Sequence, residues 1–220
     1  AVKLLLKNAG ETTLQYSDPY RLAILQYRQK QFSKAVETIR GIIQSRPHER
    51  AWAYHAWGNV LMEQGKLEQA IGKFKSAAGA DPHLALPHTA MSRAYFLLQD
   101  KENAIQCLKK SLSLDPNNVD LWTTLAWQFV NNNQAQSADS AFLKAVHYAK
   151  GSEYESRIWQ SWIDSKFMAR DSAEVRRISN MALKAASDNS DGYVLRAIAF
   201  FNQKDTANAI DAIETALELN

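Results

Sequence analysis

An all-α fold of repeated antiparallel helix pairs is predicted by three features of this sequence of 220 residues. Helix-favouring residues dominate while Gly and Pro are scarce, with 8 and 5 copies. Side chains such as Ala, Leu, Gln, Lys and Glu lose little rotamer freedom in a helix. Apolar residues recur at spacings of three and four, the period of one helix face. A single motif also returns along the chain: Ala35, Ala70, Ala104 and Ala138 are separated by 35, 34 and 34 residues, and the register continues through Glu174 to Ala209. Such a stride marks a supersecondary unit that buries its apolar face only against its neighbours.

Composition narrows the function classes. A hydrophobic fraction of 46% supports a buried core and excludes a disordered tail. The 26 basic and 23 acidic residues leave a net charge of +3 spread along the chain, which implies no strong field for nucleic acid or anionic lipid. Cys107 is the single cysteine, so an internal disulfide and a multi-cysteine zinc site are excluded. Without an apolar run near the roughly 20 residues of a membrane span, the chain reads as soluble, cytoplasmic or periplasmic, with no membrane insertion.

Residues 1–15 form an N-terminal lead, in which Val2, Leu4, Leu5 and Leu6 follow Ala1 much as apolar residues follow the repeat alanines. The lead reads equally as the second helix of a truncated preceding repeat, a packing helix or a mobile segment. Repeats are expected near 16–50, 51–84, 85–118, 119–154, 155–189 and 190–220, the fifth being degenerate. The clearest runs through Tyr54, Trp57, Gly58 and Leu61, then Gly65, Leu67, Ala70, Phe74, Ala77 and Pro82. Gly65 suits the left-handed conformation that ends a first helix. Asp81-Pro82 ends the second, because a residue before proline avoids helical dihedrals. Helix starts are marked by Ser17-Asp18-Pro19 and by Asn118, and the inner turns are polar, as at Gln99-Asp100-Lys101 and Asn131-Asn132-Asn133. Small residues such as Gly58, Ala70 and Ala77 let the two helices approach, while Phe74 and Leu61 fill the space between units. In the fifth repeat, around Trp159, Trp162, Val175, Ile178 and Ala182, the helical period persists but small residues do not fall in step.

These residues resemble the tetratricopeptide repeat family, over roughly Tyr16 to Asn220. Met91, Ser92, Tyr95, Ala104, Leu108 and Pro116 carry the pattern in the third unit. Trp122, Leu125, Ala126, Phe129, Ala138, Phe142 and Ala145 carry it in the fourth. The resemblance implies a right-handed superhelical solenoid whose first helices line a groove for a partner peptide or helix. Carried over position by position, that groove comprises Tyr20, Ile24, Tyr27, Trp52, His55, Asn59, Met62, Leu86, Thr89, Arg93, Phe96, Thr123, Trp127, Val130, Trp159 and Ile163. It is aromatic and apolar, with Asn59 and Arg93 able to bond a backbone or carboxylate. At the positions where some family members clamp a terminal carboxylate stand His55, Asn59, Ala90, Asp120 and Thr124. Only Asn59 matches and Asp120 would repel, so that activity is not expected.

No phosphate-cradling glycine loop, nucleophile elbow or paired-histidine metalloprotease helix occurs, and the chain reads as a non-enzyme without cofactor or metal. The expected function is a protein-interaction scaffold or adaptor, or the recognition region of a larger protein. A second reading is self-assembly, with the groove or a repeat end receiving a segment of another copy such as residues 1–9. A third, helical-repeat RNA binding, lacks a cationic stripe: Arg93 has no basic counterpart at His55, Trp127 or Trp159.

Overall fold

The computed structural model describes residues 18–152, 154–185 and 190–219. The expectations for the lead at 1–15, for self-assembly through residues 1–9 and for the cap at Ser17 lie outside the described residues. The described elements are helices throughout: α1 (Asp18–Arg28), α2 (Phe32–Ser45), α3 (Arg50–Glu63), α4 (Leu67–Ala80), α5 (Leu86–Leu97), α6 (Lys101–Leu114), α7 (Val119–Asn131), α8 (Ala135–Ala149), α9 (Glu155–Met168), α10 (Ser172–Ala185), α11 (Ser190–Asn202) and α12 (Thr206–Glu218). A short 3-10 turn, Pro47–Glu49, precedes α3. None is long and apolar enough to cross a membrane among the described residues.

The chain divides into two compact units, residues 1–114 and 115–220. In the first, α1 pairs with α2, α3 with α4 and α5 with α6; in the second, α7 pairs with α8, α9 with α10 and α11 with α12. Short connectors make the helices of each pair antiparallel neighbours.

One backbone feature sets the register of every pair. The residue that ends each first helix takes a positive φ: Lys30, Gly65, Gln99, Asn133, Arg170 and Lys204. Its amide closes a tight turn onto the helix it terminates, as when Gly65 N–H donates to the Met62 carbonyl at 2.9 Å. Only one of these six residues is glycine, so the array holds five side chains in the left-handed region, at φ between 55° and 63°. The following helix often starts on a side-chain cap. Asp100, Asp171 and Asp205 accept from the amides of Asn103, Glu174 and Asn208, and Asn118 caps α7 by accepting from Leu121 N–H at 3.1 Å. Second helices stop where the chain extends, and Asp81 before Pro82 lies at φ −141° and ψ 98°.

Counted from that turn residue, the core is nearly invariant. Seven positions before it stand Ala23, Gly58, Ser92, Ala126, Ile163 and Ala197, all buried. Nine positions after it stand Ile39, Phe74, Leu108, Phe142, Ser179 and Ile213, the first five fully buried. In the second pair these two positions interlock: a Cβ on Gly58 would lie 2.3 Å from the Phe74 ring. Phe74 also packs with Met91 and Ala94 of α5, so one ring ties two pairs together. Between the first and second pairs, Trp57 meets Lys73 Nζ at 3.9 Å and the Arg40 guanidinium at 5.1 Å from its ring centre.

The turn register also resolves the fifth repeat. Turn residues recur every 34 or 35 positions except from Asn133 to Arg170, a step of 37. Helix α8 is one residue longer than α2, α4, α6 and α10, and it is followed by Gly151 at φ 76°. At the interlocking pair of positions this repeat carries Ile163 and Ser179, so bulk has moved from the second helix to the first. Ser179 is fully buried and its hydroxyl has no partner among the described residues. Where Leu61 and Phe129 fill the core, four positions before the turn, the fifth repeat has Lys166. Its ammonium meets Asp139 of α8 at 2.6 Å, and the same carboxylate oxygen accepts from Trp162 Nε1 at 2.8 Å. A charged contact thus joins α8 and α9 where the second and fourth repeats use the apolar volume of Leu61 and Phe129.

Candidate functional site

Ten, six and three positions before each turn residue, the first helices present a row that is separate from the core positions. In the first unit the row is Tyr20, Ile24 and Tyr27 of α1, His55, Asn59 and Met62 of α3, and Thr89, Arg93 and Phe96 of α5. The first two helices enclose a cavity of about 280 Å³, walled by Tyr20, Ile24, Tyr27, Arg28, Trp52, His55 and Asn59 and floored by Ala23, Ile39 and Val60. Tyr20 is nearly fully buried and forms a wall, whereas Ile24, Tyr27, Trp52, His55, Asn59 and Met62 are half-buried and Phe96 is exposed.

Polar groups in this row are held in definite states. Tyr27 donates its hydroxyl to Glu63 at 3.2 Å across the α1 to α3 gap. Burial, reinforced by Glu63, raises its pKa, while Arg93 of α5 and Arg28 act in the opposite sense, which places all four groups within electrostatic reach. Thr89 shares a 2.8 Å hydrogen bond with the Ser111 hydroxyl and so is tied to its own second helix. The side chains of Asn59 and Arg93 have no hydrogen-bond partner among the described residues; Asn59 is half-buried and Arg93 exposed.

His55 packs against the Phe74 ring, with centroids 5.6 Å apart. Burial pushes its pKa down to about 4. The unfolded chain takes up this proton near 6.5, the folded chain only near 4. Between those values the unfolded state binds more protons, so stability falls as pH drops from 6.5 towards 4 and is insensitive to this group above 6.5. Urea midpoints measured across that window are expected to decline less steeply for His55→Leu than for the parent; equal slopes would contradict an imidazole held neutral against Phe74.

In the second unit the row begins with Thr123, Trp127 and Val130 of α7. Thr123 returns its hydroxyl to the Val119 carbonyl at 3.0 Å. Trp127 is anchored twice, donating Nε1–H to the Ser161 hydroxyl at 2.7 Å and meeting Phe142 edge-on at 6.2 Å. Val130 is half-buried. Trp159 lies elsewhere: it is 3% exposed, stacks on Trp162 at 5.7 Å and belongs to the core, as does Ile163. The longer step from Asn133 to Arg170 shifts the register, so the row passes instead through Gln160, Asp164 and Phe167, then Val194, Ile198 and Phe201 of α11. These six line a second cavity of about 520 Å³. The signal that could have located them is the wider spacing of the polar inner turns at Asn133 and Arg170 compared with the other repeats.

Family models described as tetratricopeptide repeat match residues 20–85, 61–127 and 190–220. Among curated proteins, the peroxisomal targeting signal receptor of Saccharomyces cerevisiae is 26% identical over 172 residues, covering 74% of this chain and 28% of that protein. The N-terminal acetyltransferase A complex subunit-like protein of Schizosaccharomyces pombe is 27% identical over 106 residues, 48% of this chain and 15% of that protein. The chain thus spans less than a third of either curated relative. Among solved structures, MamA superposes with a TM-score of 0.55 at 17% identity, covering 93% of this chain and 95% of that one. YrrB, described as a TPR protein with an unusual peptide-binding site, gives 0.52 at 16% identity, covering 82% and 91%. With six turn-registered helix pairs and three matching family models, the chain belongs to the tetratricopeptide repeat family.

Proposed function

We propose that this chain is a protein-interaction scaffold that acts by binding rather than catalysis, and that the first-unit row holds an extended or helical apolar segment of a partner protein. The observation that carries this reading is the 280 Å³ cavity between α1 and α3, walled by the row residues of two successive first helices. An apolar cavity of ~150 Å³ accepts a benzene ring, so this one has room for one large apolar side chain. Aromatic walls supply contact area at low entropic cost. Beside them, the Asn59 amide can bond the guest backbone and Arg93 a carbonyl or carboxylate. Two of the similar proteins carry names that refer to recognition of a targeting signal or a peptide, which is consistent with this use of the fold.

The test is a pull-down from cell lysate with the parent chain and an Asn59→Ala, Arg93→Ala variant. Proteins retained by the parent are expected to be lost or reduced at least tenfold on the variant while its helical circular dichroism is unchanged. Equal retention by both would refute the groove.

A further inference from the structure

Charge that is evenly spread along the sequence is not evenly spread on the fold. Ten positions after each turn residue, the second helices of the first unit carry Arg40 on α2, Lys75 on α4 and Lys109 on α6, all exposed. The same position in the second unit holds Leu143, Asn180 and Glu214. Lys73 of α4 and Lys110 of α6 widen the row, and Lys75 lies within electrostatic reach of Cys107 on α6, so the row runs on from one second helix to the next. Acids do not balance it. Glu68 and Glu102 stand in the first turns of α4 and α6, and Glu37, one turn before Arg40, makes no ion pair with it. Beyond the helices, Asp81, Asp100 and Asp115 are engaged by His83, Asn103 and Asn118.

The usual structural roles of a helix cation do not account for this row. None of its members stands in the last turn of its helix, where it would meet the negative end of the helix dipole. Arg40, Lys73, Lys75 and Lys110 form no ion pair among the described residues. Instead Arg40 of α2 and Lys73 of α4 converge on one half-buried ring, at 5.1 Å and 3.9 Å from the centre of Trp57. The indole thus holds two like charges from different helices near each other, with no carboxylate in ion-pair contact with either. A bound anion would relieve their repulsion and would find both side chains already ordered.

The surroundings narrow the class of anion. Gly41 beside Arg40 and Gly72 beside Lys73 are exposed, with nothing within 4 Å of where a Cβ would stand, so a chain can lie close to the helices. The large apolar side chains exposed among the described residues of this unit, Leu22, Leu86, Phe96 and Leu97, all belong to first helices. The row therefore has no apolar anchor for a bilayer and no exposed aromatic face of the kind on which nucleobases stack. A run of carboxylates satisfies it, and such a run repels itself into an extended form. We propose that the second-helix face of the first unit, across α2, α4 and α6, docks an extended acidic segment of another protein, whose carboxylates pair with Arg40 and Lys73 over Trp57 and with Lys75, Lys109 and Lys110 beyond. This surface is separate from the first-helix groove and selects by charge instead of apolar volume.

The probe is a fluorescein-labelled peptide of alternating Glu and Ser, titrated against the full chain by anisotropy at low salt, with a Gln and Ser peptide as its uncharged control. The Glu peptide is expected to bind, more weakly as salt rises, and the Gln peptide is not. Lys75→Glu with Lys109→Glu should weaken binding at least tenfold, and Arg40→Gln with Lys73→Gln at least fivefold, with helical circular dichroism unchanged. Arg176→Glu with Lys184→Glu, exposed positions of α10 that give the same change in net charge, should alter it less than twofold. Asn59→Ala with Arg93→Ala should leave it unchanged, which separates this surface from the groove. Equal loss on both charge reversals would overturn the proposal, since net charge and not the row would then be the cause. So would failure of the Glu peptide to bind, or tighter binding of single-stranded RNA or of phosphatidylserine vesicles to the same residues.

Discussion

Asp139→Ala is expected to destabilise the second unit by about 2 to 4 kcal/mol, well above the cost of breaking an ion pair exposed to solvent. The carboxylate serves two donors at once, Lys166 Nζ at 2.6 Å and Trp162 Nε1 at 2.8 Å. The lysine side chain is 10% exposed and the aspartate 24%, so removal strands an ammonium and an indole N–H with little water to replace the partner. Full burial would place the cost at about 3 to 5 kcal/mol, and the partial exposure of Asp139 lowers it. The pair need not be a net stabiliser over an apolar core. Asp139→Leu with Lys166→Met restores the chemistry used at Leu61 and Phe129, and should recover most of the loss, because apolar replacement of a buried ion pair is often neutral or better. Urea denaturation of both single variants and the double variant gives the coupling; strict additivity would show that the two charges act independently.

Gly58→Leu is expected to cost about 1 to 3 kcal/mol by overpacking. Even one added methyl lands 2.3 to 2.8 Å from three atoms of the Phe74 ring, which is fully buried and held between α3, α4 and α5. Gly41 and Gly72 provide the contrast, since nothing lies within 4 Å of a Cβ at either helical position. There alanine should gain up to about 1 kcal/mol through helix propensity and the unfolded chain. The mechanism predicts suppression: Phe74→Leu destabilises alone but should cost less in the Gly58→Ala background. An equal cost in both backgrounds would show that the ring is not what excludes the methyl.

The sites divide in the same way as the core. In the first unit, Tyr20, Ile24, Tyr27, His55 and Asn59 could be read as one row from sequence, with Trp52 lining the same cavity, since each repeat keeps its stride. In the second unit the reading slips by one residue at Trp159. The longer step from Asn133 to Arg170 is invisible to an alignment anchored on small residues, because this repeat has no small residue at Ile163 and no large one at Ser179. A slip of one position rotates a helix by about 100°, enough to exchange the core Trp159 for the cavity-lining Gln160.

By itself the sequence determined that the chain is a helical repeat of this family. A 34-residue stride, apolar spacing of three and four, Gly65 and the proline stops are local signals, and local signals suffice for helices and turns. Tertiary structure alone decided how the fifth pair is packed, that Lys166 is held by Asp139 and Trp162, and that Gln160, Asp164, Phe167, Val194, Ile198 and Phe201 share a cavity. Those facts depend on how volumes and charges from different helices complement one another, and complementarity between distant residues leaves no period in the chain.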